Sequence, residues 1–173
     1  MSGAAFADRL AAAVERRRSQ LCLGLDPGAA GGGEVVAECE RLIELAGPAC
    51  VAAKPQLACF ERLGAAGWEA LERVTAAARA AGLLVVADGK RGDVPHTAAA
   101  YAAALLGSGG LGADAVTVNP LLGVDSLDPW VEAAGAGGGG VFLLVRTSNP
   151  GASDLLDLRT EYRSTMDGRH AVG

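Results

Sequence analysis

The stretch Leu83-Leu-Val-Val-Ala-Asp88-Gly-Lys90-Arg-Gly-Asp93 joins an unbroken apolar run to three charged positions, Asp88, Lys90 and Asp93. Residues 83–87 have the length and β-branched content of a strand buried on both faces, the kind found in parallel sheets. Asp88 and Lys90 stand at i and i+2, so alternation along an extended chain sends both side chains the same way at the strand's carboxyl end. α/β folds build their sites at that end. Asp93 follows on the turn into the next helix. A D-x-K-x-x-D string on a loop is ordinarily a solvated ion-pair cluster of little consequence. Its place at a strand end marks these three residues as candidates for chemistry.

The same pattern recurs upstream. Leu21-Cys-Leu-Gly-Leu-Asp26-Pro27 is an apolar strand ending in a carboxylate, with Pro27 stopping the ladder, and Cys50-Val-Ala-Ala-Lys54-Pro55 ends in a lysine and a proline. Between them, Gly31-Gly-Gly33 forms a loop and residues 34–46 have helical spacing through Val35, Leu42 and Leu45. Residues 68–81 form the next helix, with Gly82 at its C-terminal cap. Beyond Asp93 the sequence predicts a helix over 97–106, a strand over 113–119, a helix over 124–134 and a strand over 140–146. Thr147-Ser-Asn-Pro-Gly151 follows. Strands alternating with helices predict βα repetition and a parallel sheet. Charges from three strand ends converging on one face suit a barrel better than an open sheet.

With 173 residues, 50% of them hydrophobic and 20% charged, the chain has material for one globular domain. A net charge of -5 argues against nucleic acid or an anionic membrane as the main partner, which leaves a small molecule. Cys22, Cys39, Cys50 and Cys59 form no C-x-x-C pair, and only His96 and His170 could join them. Neither a zinc site nor a disulfide framework is predicted; reduced, mostly buried thiols in a cytoplasmic protein are. No apolar run approaches a membrane span, and no secretory segment opens the chain. Residues 2–20 read as an amphipathic helix, with Phe6, Leu10 and Val14 on one face and Arg16-Arg-Arg18 near its end.

Gly107, Gly109 and Gly112 match G-x-G-x-x-G, as do Gly135, Gly137 and Gly140. Both sets precede a strand, whereas a dinucleotide loop must follow a strand and open a helix. A nucleotide loop is therefore not expected.

Taken together, Leu23-Gly-Leu-Asp26-Pro27, Ala53-Lys54-Pro55-Gln56, Ala87-Asp88-Gly89-Lys90-Arg91-Gly92-Asp93, Thr117-Val-Asn-Pro120 and Thr147-Ser-Asn-Pro-Gly151 resemble the orotidine 5'-phosphate decarboxylase family, in its longer bacterial subgroup. The resemblance covers about residues 18–155. It implies a TIM (β/α)8 barrel, usually a homodimer, that converts orotidine 5'-monophosphate to uridine 5'-monophosphate without cofactor or metal. By the same resemblance Lys54, Asp88 and Lys90 form a charge array under C6, with Lys90 the proton donor. Asp93 and Thr97 reach across the dimer, Asp26 holds the ribose hydroxyls and Ser148 the pyrimidine edge. Related magnesium-dependent sugar-phosphate decarboxylases and aldolases keep the D-x-K-x-x-D string but carry a glutamate where Lys54 stands, which favours the metal-free reading.

Only about the first five βα units of the barrel are found in the sequence. The expected organisation is one partial barrel domain over residues 1–173, with an N-terminal helix over 1–19 and a truncated helical tail over 154–173 that begins a helix around Asp167-Gly-Arg169. Barrels of this kind grip phosphate on loops after strands seven and eight. Remote phosphate binding also supports turnover, so the expectation is an array that is present in a chain of weak or no activity alone. The rival expectation is a non-catalytic partner that completes a barrel with another chain.

Overall fold

The structure is a computed structural model that describes residues 4–158. Five strands, β1 (Leu21–Leu25), β2 (Cys50–Pro55), β3 (Leu84–Arg91), β4 (Ala115–Val118) and β5 (Gly140–Leu143), form one sheet in the order β1-β2-β3-β4-β5. Every adjacent pair is parallel. The helices are α1 (Phe6–Arg17), α2 (Gly32–Ala46), α3 (Leu57–Glu61), α4 (Ala65–Ala80), α5 (Pro95–Leu106) and α6 (Asp128–Gly137). Strand order follows chain order without reversal, so the sheet has no switch point and winds in one direction, as the wall of a (β/α) barrel does.

The alternation within β3 explains why its sequence is apolar throughout. Val85 and Ala87 face the helices, packed with Leu71, Phe60, Val116 and Trp130 in the larger core, while Val86 faces the concave side. On that concave side Val51, Ala52, Val86 and Ala115 are covered by Phe6 and Ala13 of α1, with Leu10 and Val14 packed beside them. The amphipathic face of α1 thus plugs the interior below the charged strand ends. Arg9 anchors the plug by ion-pairing with Asp114, whose other carboxylate oxygen accepts the Val85 N–H at 2.8 Å.

Several boundaries differ from the sequence reading. α3 was not anticipated: it is a five-residue turn after Pro55, too short to show periodicity, although its Phe60 is core. Gly64, at φ +62°, leads into α4, which begins before the expected residue 68. The single helix expected over 124–134 is divided into a 3-10 turn at Val124–Ser126 and α6, which starts with a proline in its first turn, where the missing N–H costs nothing. β5 stops at Leu143 rather than residue 146. α4 ends at Ala80 with Ala81 as its C-cap, so Gly82, at φ +74° with its N–H on the Arg79 carbonyl at 2.8 Å, stands one residue beyond the cap position expected for it.

Of the thiols, Cys39 and Cys50 are buried, Cys59 is half-buried and Cys22 is exposed, so the last departs from the expected burial. All four are free, and burial, helped by Glu38, pushes the Cys39 thiol up to about 12. Among the described residues, no helix is long and apolar enough to cross a membrane. Residues 150–154 form a 3-10 turn. The helix expected around Asp167 and the histidine at 170 lie outside the described residues.

Candidate active site

Lys54 stands one residue before the end of β2, Asp88 and Lys90 near the end of β3, and all three project from the carboxyl end of the sheet. Their side chains meet. The Lys54 ammonium donates to Asp88 Oδ2 at 2.6 Å and the Lys90 ammonium to Asp88 Oδ1 at 2.5 Å. Two neutral groups complete the shell: Thr117 Oγ1 donates to Asp88 Oδ1 at 2.9 Å, and Gln56 Nε2 reaches Oδ2 at 3.4 Å. Asp88 is thereby held at 5% side-chain exposure between two lysines that keep 35% and 41% of their surface in solvent.

Burial disfavours the Asp88 carboxylate, but hydrogen bonds from Lys54, Lys90 and Thr117 outweigh it and hold its pKa below the usual carboxylate value. For Lys54, burial likewise opposes the charge, yet the bond to Asp88 and the charges of Asp88 and Asp26 raise its pKa above the ordinary lysine value. The array is therefore two cations around one anion. The bonded trio carries a net positive charge, with Asp26 a more distant carboxylate acting on Lys54, and opens to solvent where negative charge that develops beside it would be stabilised.

The remaining candidates are placed around this trio without touching it. Asp26, just past β1, is exposed and acts on Lys54 through its charge. The Asp93 carboxylate turns back to accept the Val94 N–H at 2.8 Å at the start of α5. Thr97 is half-buried in the first turn of α5, and Ser148 is exposed in the loop after β5. The structure thus brings Lys54, Asp88 and Lys90 together, and leaves Asp26, Asp93, Thr97 and Ser148 on the same rim without a hydrogen bond to them.

Sequence reasoning assigned nothing to Gln56 or Thr117. Both lie in motifs quoted above, and the signal for Thr117 was its parity: it shares a face of β4 with inward-facing Ala115, whereas Val116 and Val118 pack among the helices. Behind the array, Arg91 pairs with Glu61 of α3 and lies 5.5 Å over the Tyr101 ring of α5, tying both helices to β3. Among the described residues, no three His, Cys, Asp or Glu side chains converge as a metal-ligand set. A cavity of about 680 Å³ beside Asp114 and Gly107 lies at the opposite end of the sheet and shares no residue with the array.

Three comparisons bear on this geometry. The pattern of the orotidine 5'-phosphate decarboxylase / HUMPS family matches residues 19–171. An orotidine 5'-phosphate decarboxylase of Deinococcus radiodurans is 48% identical over 87% of this chain and 56% of its own length, and one of Rhodopirellula baltica is 41% identical over 94% and 62%. The chain therefore spans less than two thirds of these relatives. Among solved structures, Leishmania donovani OMP decarboxylase superposes with a TM-score of 0.82 at 43% identity, covering 92% of this chain and 60% of that one.

Proposed function

The chain belongs to the orotidine 5'-phosphate decarboxylase / HUMPS family, and on that premise we propose that it decarboxylates orotidine 5'-monophosphate to uridine 5'-monophosphate. The C6–carboxylate bond breaks, carbon dioxide leaves, and the electron pair that stays on C6 takes a proton from the Lys90 ammonium. The observation that carries this reading is the capture of both Asp88 oxygens by Lys54 and Lys90, at 2.6 and 2.5 Å. An ammonium fixed beside C6 gains more from the carbanion than from the neutral ring, and that difference lowers the barrier. Asp88 keeps Lys54 protonated despite its partial burial.

Lys54 also separates this reading from the magnesium-dependent relatives. Its ammonium is bonded to Asp88 Oδ2 and would repel a divalent cation there. Asp26, Thr97 and Ser148 complete the reading as substrate-binding groups. Asp93 and Thr97 are assigned across a homodimer; supporting this, Asp93 forms no bond to the array of its own chain. A cytoplasmic location agrees with four unpaired thiols.

The test is loss of the substrate's ultraviolet absorbance on the purified chain beside its Lys90→Ala variant. Turnover that disappears in the variant is expected, and it should be weak because the chain spans less than two thirds of its relatives. Equal rates in both proteins, or none in either, would overturn the proposed activity and leave the family membership standing.

A further inference from the structure

We propose that Thr117 is a positioning residue of the array, its hydroxyl fixing at once the backbone of Lys90 and one oxygen of Asp88. Its catalytic consequence rests on the decarboxylase reading above; its structural content does not.

Lys90 adopts φ +48°, a left-handed conformation that side chains other than glycine and asparagine rarely take. It does so where the β3–β4 ladder slips: between the pairs Ala87↔Val116 and Arg91↔Val118, β3 runs from residue 87 to 91 while β4 runs only from 116 to 118. The extra length bulges out of the ladder, and a bulged residue loses its strand partner. The Lys90 N–H donates instead to Thr117 Oγ1 at 2.9 Å. That hydroxyl in turn donates a hydrogen bond to Asp88 Oδ1, also at 2.9 Å.

One side chain on β4 thus substitutes for a missing ladder carbonyl and orients the carboxylate between the lysines. Its place is set by the sheet, because buried Val116 and Val118 on either side force residue 117 inward. The bulge turns Lys90 out of the path a regular strand would take, and the hydroxyl holds the turned backbone while the ammonium stays on Asp88. A residue that acts through Lys90 and Asp88 would show its loss as misplacement of those two groups.

Thr117→Val keeps size, branching and strand preference while deleting both hydrogen bonds, and Thr117→Ser restores the hydroxyl. The first readout is nuclear magnetic resonance of the isotopically labelled full chain, following the Lys90 amide and the titration of the Asp88 carboxyl carbon. The charged and titratable groups around Asp88 are Lys54 on β2, Cys22 on β1 and Lys90 on its own strand. All are unchanged in both variants. The valine variant is expected to shift the Lys90 amide and move the Asp88 midpoint upward, and the serine variant to return both.

The second readout is kinetic. On the decarboxylase reading, the valine variant should lose about 10- to 100-fold in kcat with KM nearly unchanged, since misplaced groups fail chiefly in the transition state. Serine should recover most of that loss. A valine variant with the wild-type Lys90 amide and Asp88 titration, or a serine variant that behaves like valine, would overturn the proposal. Should the wild-type chain show no turnover, the decarboxylase reading fails while the resonance measurements still decide the role of Thr117.

Discussion

At the scale of single residues, Asp88 is where stability and chemistry meet. Its folded-state pKa is lowered, so it contributes stability that is present above the unfolded value of about 3.9 and is lost as pH falls through the lower folded value. Lys54, raised, works in the opposite sense: its contribution is complete below the unfolded value of about 10.4 and fades as pH rises through the folded one. Urea midpoints should therefore be flat through neutral pH and fall on the acid side below about pH 4. Asp88→Asn should cost about 1–3 kcal/mol at pH 7, less than breaking a fully buried pair, because both ammoniums keep a third or more of their surface in water. Its acid limb should also be shallower. A variant as stable as wild type at pH 7, with an unchanged acid limb, would show that the array contributes nothing to folding.

At the scale of elements, the plug formed by α1 depends on a glycine in β5. A Cβ at Gly140 would lie 2.4 Å from the Phe6 ring, which itself packs edge-on against Phe142 at 5.8 Å between centroids. In an ordinary strand Gly→Ala is favourable by roughly 0.5–1 kcal/mol. Here Gly140→Ala should instead destabilise by about 1–3 kcal/mol, since the ring must move. A double-mutant cycle with Phe6→Leu, read by denaturant unfolding, should recover part of that loss; simple additivity would argue that the two do not press on each other. The apolar spacing of Phe6, Leu10 and Val14 was legible in the sequence, but what it packs against was not. Helical periodicity identifies an apolar face, whereas the partner of α1 is assembled from four strands distant in the chain. α3 escaped notice because five residues hold too little of a helical period.

At the scale of the molecule, the described residues leave the sheet open at both sides, with β1 paired only to β2 and β5 only to β4. Apolar side chains gather at these edges: Leu21 is 59% exposed, Phe142 and Leu143 46%, and Val145 83%. Unpaired edges that carry apolar groups associate. Sedimentation velocity on the 17.3-kDa chain should show self-association that grows with concentration and weakens in Val145→Lys. A monomer at every concentration would mean that these edges are covered.

Sequence alone determined the βα repetition, the parallel sheet, and the lysines and carboxylate at its carboxyl end. Each of these follows from local rules: apolar run length, period-two alternation, and prolines that stop strands. Only the tertiary structure decided that Lys54 and Lys90 close on opposite oxygens of Asp88, and that Thr117 and Gln56 join them. It alone turned Asp93 back onto its own helix start and put Lys90 on a bulge. The physical reason is that a hydrogen bond between strands depends on the register of two ladders, and register is set by packing across the sheet rather than by neighbours in the chain.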